Sequence, residues 1–201
     1  MSEAELFPAF LKLKGRRCLV VGAGPIAESK IESLVRCGAE VYVVAPQATG
    51  WIRDAAMAGE VQWEPRVFRE DDLKGVFLVV AATSSPALHE EIFRQAQAAG
   101  ILCNAVDEPE RCDFYYPSVV RRGPLQIAVS TSGNSPFLAQ RLRQELEQHY
   151  GPEYGAWTEE LGRARSALFA RKVSPEERRA LLQELASEDS FRQFQGRQEQ
   201  A

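Results

Sequence analysis

A glycine-rich turn between an apolar run and a helix-like stretch is the feature that most constrains the fold of this chain. Residues 22–27, Gly-Ala-Gly-Pro-Ile-Ala, directly follow the apolar run at residues 18–21. A strand, a turn without bulky side chains and a helix N-terminus together make a seat for a pyrophosphate, because the first helical N–H groups and the helix dipole attract negative charge. Gly22 would permit the tight turn, Gly24 would let the backbone approach the phosphates, and Ala27 would keep the helix close to the sheet. The pattern predicts a dinucleotide site, and a simple tight turn is the alternative.

The first two-thirds of the chain alternate between strand and helix signals. Ser85-Pro86 is a typical helix start, and apolar residues at helical spacing separate the apolar runs. The runs that are typical of buried strands lie at residues 18–21, 41–44, 76–81 and 101–106, with a weaker one at 61–63. This order predicts an α/β fold, a Rossmann-like parallel sheet with helices on both faces, whose ligands bind where the strands end. The residues expected around that crevice are Gly22 to Ala27, Pro46, Thr83 and Asp107.

The pattern changes after residue 107. Two strand-like segments flank the basic turn at residues 121–124, and Ser135-Pro136 starts another helix. From Gly151 onward the pattern is helical, and the polar residues 193–201 are expected to fray. We therefore predict a nucleotide-binding domain at 1–111, a small α+β dimerisation segment at 112–146 and a helical C-terminal tail at 147–201.

Composition argues against several classes of protein. A net charge of −4 and a pI near 5.4 argue against a general nucleic-acid binder. No apolar run approaches the roughly 18 residues of a membrane span, and the acidic N-terminus is unlike a signal peptide. The four cysteines form no C-x-x-C pair, so we expect buried free thiols in a reducing cytoplasm.

The two histidines, His89 and His149, fall on helix patterns away from the expected strand ends. No His, Cys and Asp residues have the spacing of metal ligands. We predict no fixed metal site.

Four stretches of the chain resemble the siroheme synthase N-terminal family, which contains precorrin-2 dehydrogenases, some of them also sirohydrochlorin ferrochelatases. They are residues 18–24 with Ala27 and Lys30, then 81–83, 103–107 and 117–136. The glycine motif is shared with many unrelated enzymes, whereas C-N-x-V-D followed by P-S and V-S-x-x-G-x-S-P is far more specific. The methyltransferase domain fused to some members has no counterpart in this sequence, which resembles the stand-alone form.

The resemblance implies a substrate, a cofactor and an assembly. The substrate would be precorrin-2, a reduced tetrapyrrole with several carboxylates, and NAD would accept a hydride from it to give sirohydrochlorin. In bifunctional relatives the same cleft then takes Fe(II) into the ring. The family forms homodimers through the segment that corresponds to about residues 112–146.

Asp107 is the leading catalytic candidate. Loss of a hydride leaves a macrocycle that must also lose protons, so a carboxylate near the nicotinamide would serve as the general base. The alternative is a capping or salt-bridging Asp at a strand end. The matching Cys103-Asn104 context favours the catalytic role, and Asn104 is expected at the substrate.

The expected cofactor residues follow the strand ends. Gly22, Gly24, Pro25 and Ile26 would lie under the pyrophosphate, with Pro46 and Gln47 near the adenosine ribose. No Asp or Glu ends the second strand to bind the ribose hydroxyls, and no Arg directly ends it to favour a 2′-phosphate. NAD rather than NADP is therefore implied mainly by the family. Thr83 would either contact the nicotinamide or cap the strand end.

Two sets of residues are expected to hold the substrate carboxylates. Backbone N–H groups of a loop before a helix could bind them, unless this loop is a plain N-cap turn. Guanidinium groups could pair with them, unless they form a solvated surface. The loop is Ser130, Thr131, Ser132, Gly133 and Asn134, and the arginines are Arg121, Arg122, Arg141 and Arg143. Bifunctional relatives carry a phosphorylatable serine where this chain has Thr131.

These observations predict a cytoplasmic, homodimeric, NAD-dependent precorrin-2 dehydrogenase, with Fe(II) insertion as a possible second activity. Two alternatives stay open: a non-catalytic module that senses NAD(H), and an oxidoreductase for another small substrate.

Overall fold

The computed structural model describes residues 5–198, and the chain divides into two compact units, Met1–Tyr115 and Tyr116–Ala201. The first unit holds a five-stranded, wholly parallel sheet in the order β3-β2-β1-β4-β5, which confirms the predicted Rossmann-like fold. Its strands are β1 (Arg17–Val21), β2 (Glu40–Val44), β3 (Gln62–Glu64), β4 (Leu78–Ala81) and β5 (Leu102–Ala105). The finer division into three parts remains a prediction.

Three helices connect these strands, and local capping chemistry sets their ends. The hydroxyl of Ser85 accepts the Leu88 N–H at 3.3 Å at the start of one of them, and Gly100 ends the same helix at φ 68°. The helices are α1 (Pro25–Arg36), α2 (Gly50–Met57) and α3 (Pro86–Ala99). The sequence prediction did not include α2. Its only local signals are Thr49, which caps the Ile52 N–H at 3.4 Å, and a two-residue buried face.

The position of β1 at the centre of the sheet creates a crevice. The chain leaves β1 toward β2 and β3 on one side and returns to β4 and β5 on the other, so the connections diverge at the carboxyl ends of β1 and β4. Leu19, Val79 and Cys103 of the three neighbouring strands pack with Ile92 and Ala96 of α3. A continuous apolar layer of this kind fixes the strand ends rigidly on either side of the crevice.

The prediction of buried free thiols is confirmed for the two cysteines in strands, whereas Cys37 is exposed and Cys112 is partly buried. Cys18 and Cys103 are fully buried in β1 and β5, and all four cysteines are free. Burial raises the pKa of Cys18 to about 11 and that of Cys103 to about 12, so both remain protonated at neutral pH.

The second unit consists of an antiparallel hairpin and four helices. The predicted basic turn is confirmed, with Gly123 at φ 54° between the two strands. The elements are β6 (Ser118–Arg122), β7 (Leu125–Val129), α4 (Pro136–His149), α5 (Glu153–Ala170), α6 (Pro175–Leu185) and α7 (Glu188–Gln198). None of the helices between residues 5 and 198 is long and apolar enough to cross a membrane.

The prediction that residues 193–201 fray is wrong for the part of them that the structure describes. Residues 193–198 continue α7, because Phe191 and Phe194 on its inner face are buried. The Phe191 ring lies 4.3 Å from that of Tyr154 and 4.8 Å from that of Trp157, centroid to centroid. The polar composition of this segment gave no indication that Phe191 and Phe194 are buried. Residues 199–201 lie outside the described part of the chain.

Candidate active site

A cleft of about 650 Å³ lies at the carboxyl ends of β1, β2, β4 and β5. Eight of the residues predicted from the strand pattern line it: Gly22, Ala23, Gly24, Pro25, Ile26, Pro46, Thr83 and Asp107. We call residues 22–27 the glycine flank, and residues 82–84 with 106–108 the Asp107 flank.

Gly22 can only be a glycine. Its φ is +108°, and a Cβ at this position would lie 2.2 Å from the carbonyl oxygen of Ala82. Its N–H donates to the carbonyl of Val44 at 2.9 Å. The turn after β1 is therefore held between the ends of β2 and β4, where no side chain fits.

Gly24 has a different role from Gly22. It has an ordinary φ of −87° as the N-cap of α1, and the space that a Cβ would fill is open. No side chain of residues 5–198 caps this helix start. The N–H groups of Ile26 and Ala27, which belong to the first helical turn, therefore face a cradle that a phosphate can occupy.

Two predicted cofactor residues lie outside the lining of the cleft. Ala27 is fully buried and brings α1 against the sheet, which is the packing role expected of it. Gln47 is not among the lining residues, although its neighbour Pro46 is. The N–H of Thr49 donates to the carbonyl of Ala23 at 3.1 Å and ties this loop to the glycine flank.

Val67 and Phe68 also line the cleft, and sequence reasoning missed both. A bidentate ion pair closes their loop: Arg66 donates to both carboxylate oxygens of Asp72, at 2.8 and 2.7 Å. Burial acts to raise the pKa of Asp72, but the hydrogen bonds from Arg66 and from the Arg69 backbone lower it overall. Because Arg66 also contacts Glu64 at 3.2 Å, its guanidinium is already engaged. No local pattern marks this pair, since its partners lie six residues apart in a loop.

Asp107 stands at the opposite side of the cleft in a strained conformation. Its φ is 62°, in the left-handed region that costs a non-glycine residue about 1 kcal/mol or more. Its neighbour Glu108 donates its N–H to the Ala105 carbonyl at 3.2 Å, which holds the loop to the end of β5. Strain held in place at a strand end is typical of a functional position.

Lys30 is an ionic neighbour of Asp107. Burial lowers the pKa of Lys30, while the charge of Asp107 and the thiol of Cys112 act in the opposite direction. Lys30 lies on α1, one turn after Ile26. The charge of Asp107 thus acts on a partly desolvated ammonium group.

Thr83 shows the capping contact that was the alternative to a cofactor role. Its hydroxyl accepts the N–H of Ser85 at 3.1 Å, and the residue also lines the cleft. Asn104 is buried below the cleft and does not line it. Its amide donates to the carbonyl of Phe114 at 2.8 Å and to the sulfur of Cys112 at 3.3 Å. It supports the loop that follows Asp107.

His89 corrects a prediction. The helix pattern indicated a position away from the strand ends, but the side chain is buried where β4 and β5 end. Its Nε2 lies 3.2 Å from the backbone nitrogen of Thr83, and its Nδ1 lies 3.0 Å from a carboxylate oxygen of Glu108. The prediction failed because a helix start after β4 places its first turns beside the strand end.

The loop at residues 130–134, in the second unit, uses part of its hydrogen-bonding capacity within itself and at the start of α4. Ser132 donates to the hydroxyl of Ser130 at 3.1 Å, and Asn134 to the carbonyl of Thr131 at 2.9 Å. The N–H of Ser135 donates to the hydroxyl of Thr131 at 3.0 Å. Ser132 and Gly133 both have positive φ, 52° and 81°. The loop is thus a helix N-cap turn, with fewer free N–H donors than its sequence suggested.

The four arginines that were predicted to bind substrate carboxylates differ in the contacts that they make. Arg122 donates to the carbonyls of Tyr150 at 2.8 Å and Glu147 at 3.0 Å, so it closes the end of α4. Arg143 pairs with Glu147 at 2.5 Å. Arg141 is exposed in a looser pair with Glu145 at 3.3 Å, and Arg121 is exposed. Arg121 and Arg141 are therefore the more available of the four.

The described residues contain no group of three His, Cys, Asp or Glu side chains placed to hold a metal ion.

Comparison with known proteins gives two family models. Residues 9–118 match a family described as "Putative NAD(P)-binding", and residues 122–149 match one described as the central region of a sirohaem biosynthesis protein.

Curated relatives and a solved structure agree with these models. Siroheme synthase 1 of Serratia proteamaculans is 39% identical over 87% of this chain and 37% of its own length. A siroheme synthase of Neisseria meningitidis is also 39% identical, over 95% of this chain and 38% of its own length. The chain thus spans about two-fifths of the length of these relatives. A solved precorrin-2 dehydrogenase, SirC, superposes over 98% of this chain and 100% of its own, with a TM-score of 0.75 at 29% identity.

Proposed function

We propose that this chain, which belongs to the siroheme synthase N-terminal family, is an NAD-dependent dehydrogenase that oxidises precorrin-2 to sirohydrochlorin in siroheme biosynthesis. The observation that carries the proposal is the cleft itself. The uncapped N-terminus of α1, after β1, and Asp107, which follows β5 with a left-handed backbone, both line it. The whole-length similarity to a precorrin-2 dehydrogenase supports the choice of substrate.

The glycine flank fits a dinucleotide. The open space at Gly24 and the N–H groups of Ile26 and Ala27 would hold the pyrophosphate. Pro25 contributes no N–H, so it only sets the helix direction. When bound, NAD supplies the hydride acceptor of the reaction.

The other end of the cofactor would lie beside β2, and the residues there favour NAD over NADP. A 2′-phosphate needs a free guanidinium or ammonium group at this place. Arg66, which adjoins the cleft residue Val67, is held by Asp72 and Glu64 instead. Pro46 and Gln47 carry no charge, and the guanidinium of Arg53, which also lies beside this loop, donates to the Ala48 carbonyl at 3.2 Å. We therefore expect NAD to bind at least tenfold more tightly than NADP, which titration calorimetry with both nucleotides would measure.

Asp107 would act as the base. Oxidation of precorrin-2 removes one hydride and one proton, and we assign that proton to the Asp107 carboxylate. The left-handed backbone at Asp107 directs the residue into the cleft at a position that strand geometry alone would not give.

The second unit supplies, in this proposal, the groups for the carboxylates of the tetrapyrrole. Arg121 and Arg141 are exposed and suited to that task, and the hydroxyl-rich loop at residues 130–134 adds donors. We also propose that the chain forms a homodimer, because both strands of its two-stranded hairpin have a free edge. The free thiols of all four cysteines support a cytoplasmic location.

An anaerobic assay tests the function. Purified protein is mixed with enzymatically made precorrin-2 and NAD, and the absorbance of NADH and of sirohydrochlorin is followed, with Fe(II) added afterwards as a second substrate. We expect NADH and sirohydrochlorin in equal amounts. Faster iron insertion than in a protein-free control would add the ferrochelatase activity. NAD binding without oxidation would reject the dehydrogenase and favour a sensing module, and inhibition by a polycarboxylate porphyrin distinguishes a tetrapyrrole enzyme from one for a small substrate.

A further inference from the structure

His89 is the only titratable side chain that contacts both loops of the Asp107 flank in the described residues, and the mechanism above does not use it. We propose that His89 is a positioning residue that sets Thr83 and Asp107 in the cleft through its two ring nitrogens. This inference rests on the proposed function, since it assigns His89 a part in the same site.

The hydrogen-bond partners of the ring define its protonation state. The backbone N–H of Thr83 can only donate, so Nε2 must be the acceptor at 3.2 Å. Nδ1 then carries the proton and donates it to Glu108 at 3.0 Å. The ring is 4% exposed, so water cannot replace either partner without opening the site. His89 is therefore a neutral imidazole with the proton on Nδ1.

The carboxylate of Glu108, which accepts the hydrogen bond from Nδ1 of His89, is itself held in place. Arg111 pairs with Glu108, and also with Glu90 of α3 at 2.6 Å. Burial acts to raise the pKa of Glu108, but the hydrogen bonds from His89 and Arg111 lower it overall. Glu108 thus remains an ionised acceptor for the His89 ring at neutral pH.

The two contacts act on residues of the cleft rather than on the core. Thr83 lines the cleft, and its N–H is the group that His89 accepts. Glu108 directly follows Asp107, whose strained backbone needs support on both sides. His89 lies in the first turns of α3, which Ser85 caps. The N-terminus of α3 therefore holds the loop at Thr83 and the loop at Glu108 at a fixed distance from each other.

Amide side chains can test the two contacts separately. In His89→Gln the side-chain oxygen can reach the Nε2 position and keep the contact to Thr83, while the contact to Glu108 is lost. In His89→Asn the amide nitrogen can occupy the Nδ1 position and keep Glu108, while Thr83 is released. We expect His89→Gln to lower kcat about tenfold with the Kd for NAD within twofold, and His89→Asn to raise that Kd about tenfold with kcat little changed. His149→Gln, at the exposed end of α4, is the matched control and should change neither.

A second measurement needs no substitution at His89. Because the chain has two histidines, His149→Gln leaves a single imidazole whose ¹⁵N spectrum reports its tautomer. We expect a protonated Nδ1 and an unprotonated Nε2. A proton on Nε2, or equal kcat and Kd in the Gln and Asn variants, would overturn the proposal. If the parent protein fails to oxidise precorrin-2, the proposed function fails, whereas the tautomer and the Kd for NAD still test His89.

Discussion

The two flanks of the cleft differ in which parts of the chain form them. The glycine flank acts through its main chain: six consecutive residues place a turn, an open cradle and a helix start, and backbone N–H groups face the cradle. The Asp107 flank comes from two loops, one after β4 and one after β5, and His89 of α3 joins them through a backbone N–H and a carboxylate. We infer that the turn at Gly22 tolerates no side chain because its backbone leaves no space, whereas substitutions on the Asp107 flank lower turnover more than stability.

The largest effect should follow from Gly22→Ala on the glycine flank. A Cβ 2.2 Å from the Ala82 carbonyl must displace backbone, so we expect a loss of about 3 kcal/mol or more in the free energy of unfolding, measured by urea denaturation. Gly24→Ala is the matched control. Its Cβ meets open space, so stability should change by less than about 1 kcal/mol while the Kd for NAD rises about tenfold or more. Equal losses of stability in both variants would contradict the distinction between the two glycines.

On the opposite flank, Asp107→Asn should leave the fold intact and remove turnover. Asn adopts the left-handed backbone readily, so the loop should persist, while loss of the base should lower kcat about 10²- to 10⁴-fold with the Kd for NAD within twofold. Single-turnover absorbance of NADH measures the first quantity and calorimetry the second. Asp107→Gly separates backbone conformation from chemistry: it should be equally inactive, with stability within about 1 kcal/mol of the parent, because relief of the left-handed backbone is offset by the freedom of glycine in the unfolded chain. Undiminished kcat in Asp107→Asn would reject the base.

The Arg66–Asp72 pair beside the glycine flank should give an acid-dependent loss of stability. The folded protein lowers the pKa of Asp72, so its contribution is complete above the ordinary Asp pKa of about 4 and is lost as pH falls below that value. Asp72→Asn should cost about 2 kcal/mol at pH 7, and the gap to the parent protein should narrow as pH falls below about 4. Asp71→Asn, exposed in the same turn, should cost less than about 0.5 kcal/mol at any pH. A gap that stays constant in acid would reject the ion pair as its source.

The smallest effects should distinguish the arginines of the second unit. Arg122→Ala loses hydrogen bonds to two carbonyls at the end of α4 and should destabilise the fold by about 1–2 kcal/mol in thermal unfolding. Arg141→Ala breaks an exposed pair, so its stability should change by less than about 0.5 kcal/mol. If Arg141 binds substrate carboxylates, its removal raises KM for precorrin-2 without lowering kcat. Unchanged KM in both Arg121→Ala and Arg141→Ala would remove them from the substrate site.

The two flanks also differ in how far sequence could predict them. The glycine flank could be predicted because its sequence signals are local: the backbone requires Gly22, Gly24 leaves the cradle open, and the strand before them is a plain apolar run. Asp107 could be placed at the cleft because parallel strands end at one edge of the sheet. The ion pair between Arg66 and Asp72 could not be predicted, because the pairing of these side chains depends on how the loop between them folds.

His89 shows most clearly what could not be predicted from the sequence. Its helical spacing was recognised, but that spacing says nothing about which strand end the ring meets, and the partners Thr83 and Glu108 lie six residues before it and nineteen after it. Helix α2 and the buried aromatic residues of α7 were missed for a related reason, since short apolar faces in polar segments are decided by tertiary packing.

A crystal structure of the protein with NAD would test the central claim most directly. We predict that the pyrophosphate accepts hydrogen bonds from the N–H groups of Ile26 and Ala27, with the nicotinamide on the Asp107 flank and the Arg66–Asp72 pair intact. A dinucleotide bound with its pyrophosphate away from Gly24, or with its nicotinamide directed away from Thr83 and Asp107, would contradict the assignment of this cleft as the site of hydride transfer.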